Sequence, residues 1–281
     1  MNTSSPLVSA EWLAERLSEP DIRIADASWY LPQAGRDAKA EYASAHIPGA
    51  VFFDIDDLSD ETSPLPHMLA PAAKFAERMR RLGVGDGDLI VVYDGAGLYS
   101  SPRAWWMLRA MGHRNVFVLD GGLPKWRREG YAVENLPVQP PRRDFVPHPD
   151  RTIIRGLSQM IENLTTRAEQ VVDARGAARF TAAEPEPRAG VRGGHIPGST
   201  NIPYTQLTNP DGTLKTQETL RALFKERRLD TSAPLVTSCG SGVTAALAML
   251  ALQVAGAKTV ALYDGSWAEW GTYADAPVET G

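Results

Sequence analysis

His46-Ile47-Pro48-Gly49, trailed by Ala50-Val51-Phe52-Phe53, returns later in the chain as His195-Ile196-Pro197-Gly198, trailed by Ser199-Thr200-Asn201-Ile202-Pro203. Three more landmarks recur around it in the same order. Ile24-Ala25-Asp26-Ala27 is matched by Val172-Asp173-Ala174. Leu89 to Tyr93, a Gly-rich turn and the helix-like Arg103 to Met111 are matched by Pro234 to Ser238, a second turn and Ala245 to Ala255. Leu119-Asp120-Gly121-Gly122 with Trp126 is matched by Tyr263-Asp264-Gly265-Ser266 with Trp270. The offsets stay between about 144 and 149 residues, so little is inserted or lost between the copies. The chain is a duplicated domain.

Its length of 281 residues suits two modest domains, each able to bury a core of its own. Between the copies, Pro137-Val138-Gln139-Pro140-Pro141 and Pro147-His148-Pro149 interrupt any helix or central strand, because proline lacks the amide proton. The expected division is a first domain at 1–137, a linker at 138–150 and a second domain at 151–281. Within each copy, short apolar strands (22–25, 89–93 and 116–119; 170–172, 235–237 and 259–262) alternate with helical stretches. Ala72 to Leu82 and Thr216 to Lys225 carry the apolar spacing of amphipathic helices. Such alternation predicts an α/β fold, each copy a parallel sheet flanked by helices on both faces.

A formal charge of −5 and the lack of a basic stripe interleaved with aromatics argue against a nucleic-acid partner. No stretch is apolar and long enough to span a bilayer, and the N-terminus lacks a basic segment followed by an apolar core. A cytoplasmic protein with no membrane partner is expected. The single cysteine, Cys239, cannot form an internal disulfide, which fits a reducing compartment. Histidine, cysteine and acidic residues are not grouped at ligand spacings, so neither a metal nor another cofactor is expected.

Cys239 ends an apolar strand and precedes Gly240-Ser241-Gly242-Val243-Thr244 and a helix. Ligands of parallel sheets bind beyond the carboxyl ends of the strands. Amides entering a helix lack intrahelical partners, and the helix N-terminus carries partial positive charge, so a thiolate there is stabilised. Gly240 and Gly242 are expected to let successive amides curl around one point, with the Ser241 and Thr244 hydroxyls aimed at the same centre. The corresponding turn of the first copy reads Asp94-Gly95-Ala96-Gly97, an aspartate standing about where the thiol would be. Cysteine phosphatases need an arginine six positions after the cysteine to clamp the phosphoryl oxygens. That position is Ala245, which disfavours phosphate chemistry.

The tandem layout, the paired His-Ile-Pro-Gly segments, Asp264-Gly265-Ser266-Trp267 and the loop from Cys239 to Thr244 resemble the rhodanese family over roughly residues 8 to 276. The resemblance implies two tandem rhodanese-like domains with a catalytic cysteine only in the second, whose site is roofed by the first. It implies a sulfurtransferase in which Cys239 takes sulfur from a small-molecule donor as a persulfide and passes it to a thiol acceptor, such as thioredoxin or a small thiol, or to cyanide. The six-residue loop is similar to that of members acting on 3-mercaptopyruvate, which release pyruvate. Relatives that use thiosulfate carry basic residues directly after the cysteine, whereas Gly240 and Ser241 are neutral. 3-Mercaptopyruvate is therefore the expected donor, with thiosulfate as a poorer alternative; a non-catalytic persulfide carrier is the reading from another class.

Ser241 is the candidate donor to the departing enolate. The family's substrate-binding arginines match Arg179 and Arg188, and a guanidinium fork suits a carboxylate. Without the resemblance, both would be read as solvated or as pairing with Glu184 or Glu186. Some members are credited with an Asp–His pair near the loop serine, for which Asp37 and His46 are the positions considered. Because His195 occupies the same place in the second copy, both histidines are read as packing the turns before Pro48 and Pro197. Trp105, Trp106, Trp267 and Trp270 are read as packing residues.

Overall fold

The computed structural model describes residues 5–281. These form two compact units: one takes in the chain up to Glu61 with Leu69–Asp150 and Asn209–Leu214, the other Thr62–Met68, Arg151–Thr208 and Lys215–Gly281. The first unit runs β1 (Leu7–Val8), α1 (Ala10–Ala14), β2 (Ile22–Asp26), α2 (Ala38–Ser44), β3 (Val51–Phe52), α3 (Ala72–Arg81), β4 (Leu89–Tyr93), α4 (Ser101–Ala110), β5 (Val116–Leu119) and α5 (Gly122–Arg128). The second repeats the series as β6 (Ile154–Arg155), α6 (Leu157–Thr166), β7 (Gln170–Asp173), α7 (Ala177–Phe180), β8 (Thr200–Asn201), α8 (Gln217–Glu226), β9 (Leu235–Ser238), α9 (Val243–Ala255), β10 (Val260–Tyr263) and α10 (Ser266–Trp270).

Both sheets are parallel and share one strand order, β1-β5-β4-β2-β3 and β6-β10-β9-β7-β8. The middle strands β4 and β9 are bonded on both edges, β4 to β2 and β5, β9 to β7 and β10. Helices cover both faces of such a sheet, which is why β4 reads Leu-Ile-Val-Val-Tyr and β9 is buried along its whole length. The outer strands β1, β3, β6 and β8 are two residues each, too short to show any periodicity. Helix α9 is apolar on nearly every side and buried throughout most of its length, so it is held by packing rather than by an amphipathic stripe. In contrast α3 and α8 bury one face, Phe75-Ala76-Met79 and Leu220-Phe224 respectively.

Segment 138–150 contains no helix or strand, yet it lies within the first unit. Phe145 is buried against Phe75 and His113, each ring 5.9 Å away. The Asp86 amide donates to the Asp144 carbonyl, and Arg143 pairs with Asp88. Among the described residues, no helix is long and apolar enough to cross a membrane.

Candidate active site

Strand β9 delivers Cys239 to the carboxyl edge of the second sheet, where the residue is buried. Helix α10 fixes the loop from behind. The Cys239 amide donates to Ser266 Oγ (3.2 Å), which donates to the Tyr263 carbonyl (2.8 Å). The Trp267 and Ala268 amides donate to the carbonyls of Cys239 and Gly240, both at 2.9 Å. Ser266 holds this position at φ +50°, a left-handed conformation uncommon for serine, and is fully buried. With two loop carbonyls turned toward α10, the following amides are directed elsewhere. Among the described residues, no acceptor takes the N–H groups of Gly240, Ser241 and Gly242.

The two loop glycines serve different ends. Gly242 caps α9 at φ +80°, where a side chain would be strained. Gly240 has no such backbone angle, contrary to expectation; the Arg179 guanidinium lies against it. A Cβ at 240 would stand 3.0 Å from Arg179 Nη2. Val243 opens α9 and Thr244 lies in its first turn, both buried.

The guanidinium over Gly240 belongs to a network of four charges. Arg179 donates from Nε to Glu186 Oε1 (3.2 Å) and from Nη2 to Glu186 Oε2. Glu186 Oε1 also accepts from Arg175 Nη1 (2.8 Å), and Arg175 makes a second ion pair with Asp173 (Nη2 to Oδ2, 2.7 Å). Arg175 is buried, with its guanidinium carbon 4.3 Å from the centre of the Trp267 ring. Burial works against its charge, but Asp173 and Glu186 outweigh that and hold the guanidinium above its usual range. Arg188 is half-buried and, among the described residues, has no hydrogen-bond or ion-pair partner.

A histidine without any sequence motif adjoins the loop. His67, in Ser63-Pro64-Leu65-Pro66-His67, is buried with Nδ1 3.0 Å from Ser241 Oγ. The segment carrying it, Thr62–Met68, belongs to the same unit as the loop. His46 is occupied otherwise: it stacks on Tyr42 at 4.2 Å, with Nδ1 2.8 Å from the Tyr42 carbonyl. His195 likewise stacks on Phe180 at 3.6 Å, with Nδ1 2.8 Å from the Phe180 carbonyl. Asp37 caps α2 by accepting from the Ala40 amide at 3.1 Å. Trp105, Trp106, Trp267 and Trp270 are fully buried.

The matching loop of the first unit is filled by its own carboxylate. Asp94, at the end of β4, accepts from the amides of Ala96, Tyr99, Ser100 and Ser101 and from Ser101 Oγ, at 2.7–3.0 Å. The same strand–loop–helix turn therefore gathers donors around an anion in one copy and leaves loop amides uncommitted in the copy that carries the thiol. Among the described residues, no group of histidine, cysteine and acidic side chains could hold a metal ion.

Two tandem parallel sheets, each with a donor-rich loop after its middle strand, define a class, and the chain belongs to the family of the Rhodanese-like domain, whose model matches residues 9–129 and 156–272. Among its relatives, 3-mercaptopyruvate sulfurtransferase of Homo sapiens is 49% identical over 270 residues, covering 94% of this chain and 91% of the relative. The enzyme of the same name from Escherichia coli K12 is 46% identical and covers 97% of both chains. Thiosulfate sulfurtransferase of Cricetulus griseus is 43% identical, covering 98% and 94%. The crystal structure of SseA from Escherichia coli superposes with a TM-score of 0.86 at 44% identity, covering 94% of this chain and 99% of that one.

Proposed function

We propose that this chain is a 3-mercaptopyruvate sulfurtransferase that carries sulfur as a persulfide on Cys239. The observation that carries the reading is the neutral loop itself: one thiol at the end of the middle strand, followed by the uncommitted amides of Gly240, Ser241 and Gly242. The names of the human and Escherichia coli relatives support the same donor. The Cys239 thiolate attacks the donor sulfur, an S–S bond forms, and the donor's C–S bond breaks. Its electron pair passes to the three-carbon fragment as the enolate of pyruvate, which takes a proton at carbon. An acceptor thiolate then attacks the outer sulfur and frees the Cys239 thiolate; cyanide does the same and leaves as thiocyanate. Two easier transfers replace one hard one.

The loop amides hold the transferred sulfur, and Val243 and Thr244 complete that wall. Arg179 and Arg188 grip the carboxylate of the donor. Ser241 directs its hydroxyl at the developing oxyanion, which it can do while His67 Nδ1–H donates to Ser241 Oγ. A loop whose own residues after the cysteine are neutral, with the nearby Arg179 charge offset by Glu186, suits a monocarboxylate better than dianionic thiosulfate, which is a poor second donor. A single cysteine and a thiol acceptor, thioredoxin or a small thiol, fit a cytoplasmic reducing pool.

Steady-state rates with the two donors at equal concentration test the reading. Turnover with 3-mercaptopyruvate should dominate, Cys239→Ser should abolish it, and Arg179→Ala should raise its KM far more than the KM for thiosulfate. Gly240→Arg with Ser241→Lys should shift the preference toward thiosulfate. Retained turnover in Cys239→Ser, or a wild-type preference for thiosulfate, would overturn it.

A further inference from the structure

A guanidinium group offers two donor edges, one formed by Nε and Nη2 and the other by Nη1 and Nη2. Glu186 occupies the first edge of Arg179 with both of its oxygens. The second edge lies toward the cysteine loop: from the Cβ position of Gly240, Nη2 is at 3.0 Å, Nη1 at 3.8 Å and the central carbon at 3.9 Å. Glu186 therefore does not block the arginine. It takes the edge that faces away from the loop and leaves the end-on edge over Gly240.

Glu186 is itself held rigidly. Its side chain is 4% exposed, and Oε1 is tied to Arg175 Nη1 at 2.8 Å. Arg175 cannot yield, because its guanidinium also donates to Asp173 and to the Gly194 carbonyl (2.7 Å) and lies over Trp267. A chain of contacts thus runs from the carboxyl end of β7 through Arg175 and Glu186 to the arginine over the loop. Two acids offset two of the cations, so Arg179 can present directed hydrogen bonds without a local excess of positive charge; Arg188 is the remaining cation. Directed donors with little surplus charge favour a monocarboxylate over a dianion.

We propose that Glu186, fixed by Arg175, is a positioning residue that orients the Arg179 end-on edge for the donor's carboxylate. The proposal rests on the reading of Arg179 given above. A freely rotating arginine would lose affinity for a substrate that needs both donors at once, with little effect on the chemical step.

Glu186→Gln keeps the size of the side chain and removes its charge and one acceptor. The expected result is a rise in KM for 3-mercaptopyruvate of about tenfold, with kcat changed less than about twofold and no rise in KM for thiosulfate. In an Arg179→Ala background the same substitution should add nothing, since the residue it orients is gone. A Glu186 that only supported the fold would move both donors and kcat together and would add to Arg179→Ala. An unchanged or lowered KM for 3-mercaptopyruvate, or an additive double variant, overturns the proposal. If Arg179→Ala itself affects both donors equally, the reading of Arg179 falls and this one with it; a donor-selective Arg179→Ala beside a silent Glu186→Gln refutes only the role of Glu186. Should Glu186→Gln fold poorly, Glu186→Asp shortens the reach by one methylene and should give the same split to a smaller degree; a missing split there is equally fatal.

Discussion

His67 Nδ1 lies 3.0 Å from Ser241 Oγ, although 174 residues separate the two in sequence. Ser241 stands two positions beyond the only cysteine, so an imidazole and a hydroxyl meet at the loop that carries the proposed nucleophile.

If that pair serves the departing enolate, His67→Ala should lower kcat with 3-mercaptopyruvate by about 10²-fold, the lower range for a positioned proton donor. Alkylation of Cys239 by iodoacetamide should be little changed, because the loop amides that the proposal assigns to the thiol do not depend on His67. Equal losses in turnover and alkylation would instead make His67 a support of the loop's shape.

Ser266 should matter for stability more than its size suggests. It accepts the Cys239 amide and donates to the Tyr263 carbonyl from a fully buried position. Ser266→Ala leaves a buried amide and a buried carbonyl short of a partner, at a cost of about 1–3 kcal/mol. Thermal unfolding should show a Tm lower by several degrees, and the loop beside Cys239 should exchange its amide protons faster. An unchanged Tm would mean that the contacts of Trp267 and Ala268 hold the loop unaided.

The sequence made the larger architecture readable because the duplication is a long-range signal carried by four landmarks. The middle strands were equally clear, since β4 is a continuous apolar run and β9, Leu-Val-Thr-Ser, is buried along its whole length. The two-residue strands β1, β3, β6 and β8 were not, because hydrogen bonds to a neighbour define them and no pattern does. His67 escaped for a related reason. It lies in a proline-rich loop remote from any motif, and only the fold brings it to Ser241. Arg175 was missed because an arginine just after a strand reads as solvated, whereas Asp173, Glu186 and Trp267 bury it. Gly240 was expected to share the backbone role of Gly242, but only Gly242 has a left-handed φ, and Gly240 instead lies against the Arg179 guanidinium.

Asp26 should make the stability of the first unit respond to pH. Burial raises its carboxyl to about 6, against hydrogen bonds from Ser28 that favour the charged form. The unfolded chain releases this proton near 3.8, so between that value and about 6 the folded protein holds a proton that the unfolded chain has lost. Its stabilising contribution is therefore complete at the acid end of the window and is lost as pH rises through about 6. Asp26→Asn does not titrate and should gain up to ~3 kcal/mol over the native protein at pH 7.5, with the gain shrinking toward pH 4.5. A difference in Tm that does not vary with pH would exclude a buried, reluctant carboxylate at this position.

The account depends above all on sulfur resting on Cys239 between its two transfers. Intact-mass analysis of the protein mixed with one equivalent of 3-mercaptopyruvate, without an acceptor, tests this most directly. The account predicts a gain of one sulfur atom, localised to the peptide containing Cys239, with an equal amount of pyruvate released and both lost in Cys239→Ser. Pyruvate released without any sulfur on Cys239 would contradict it.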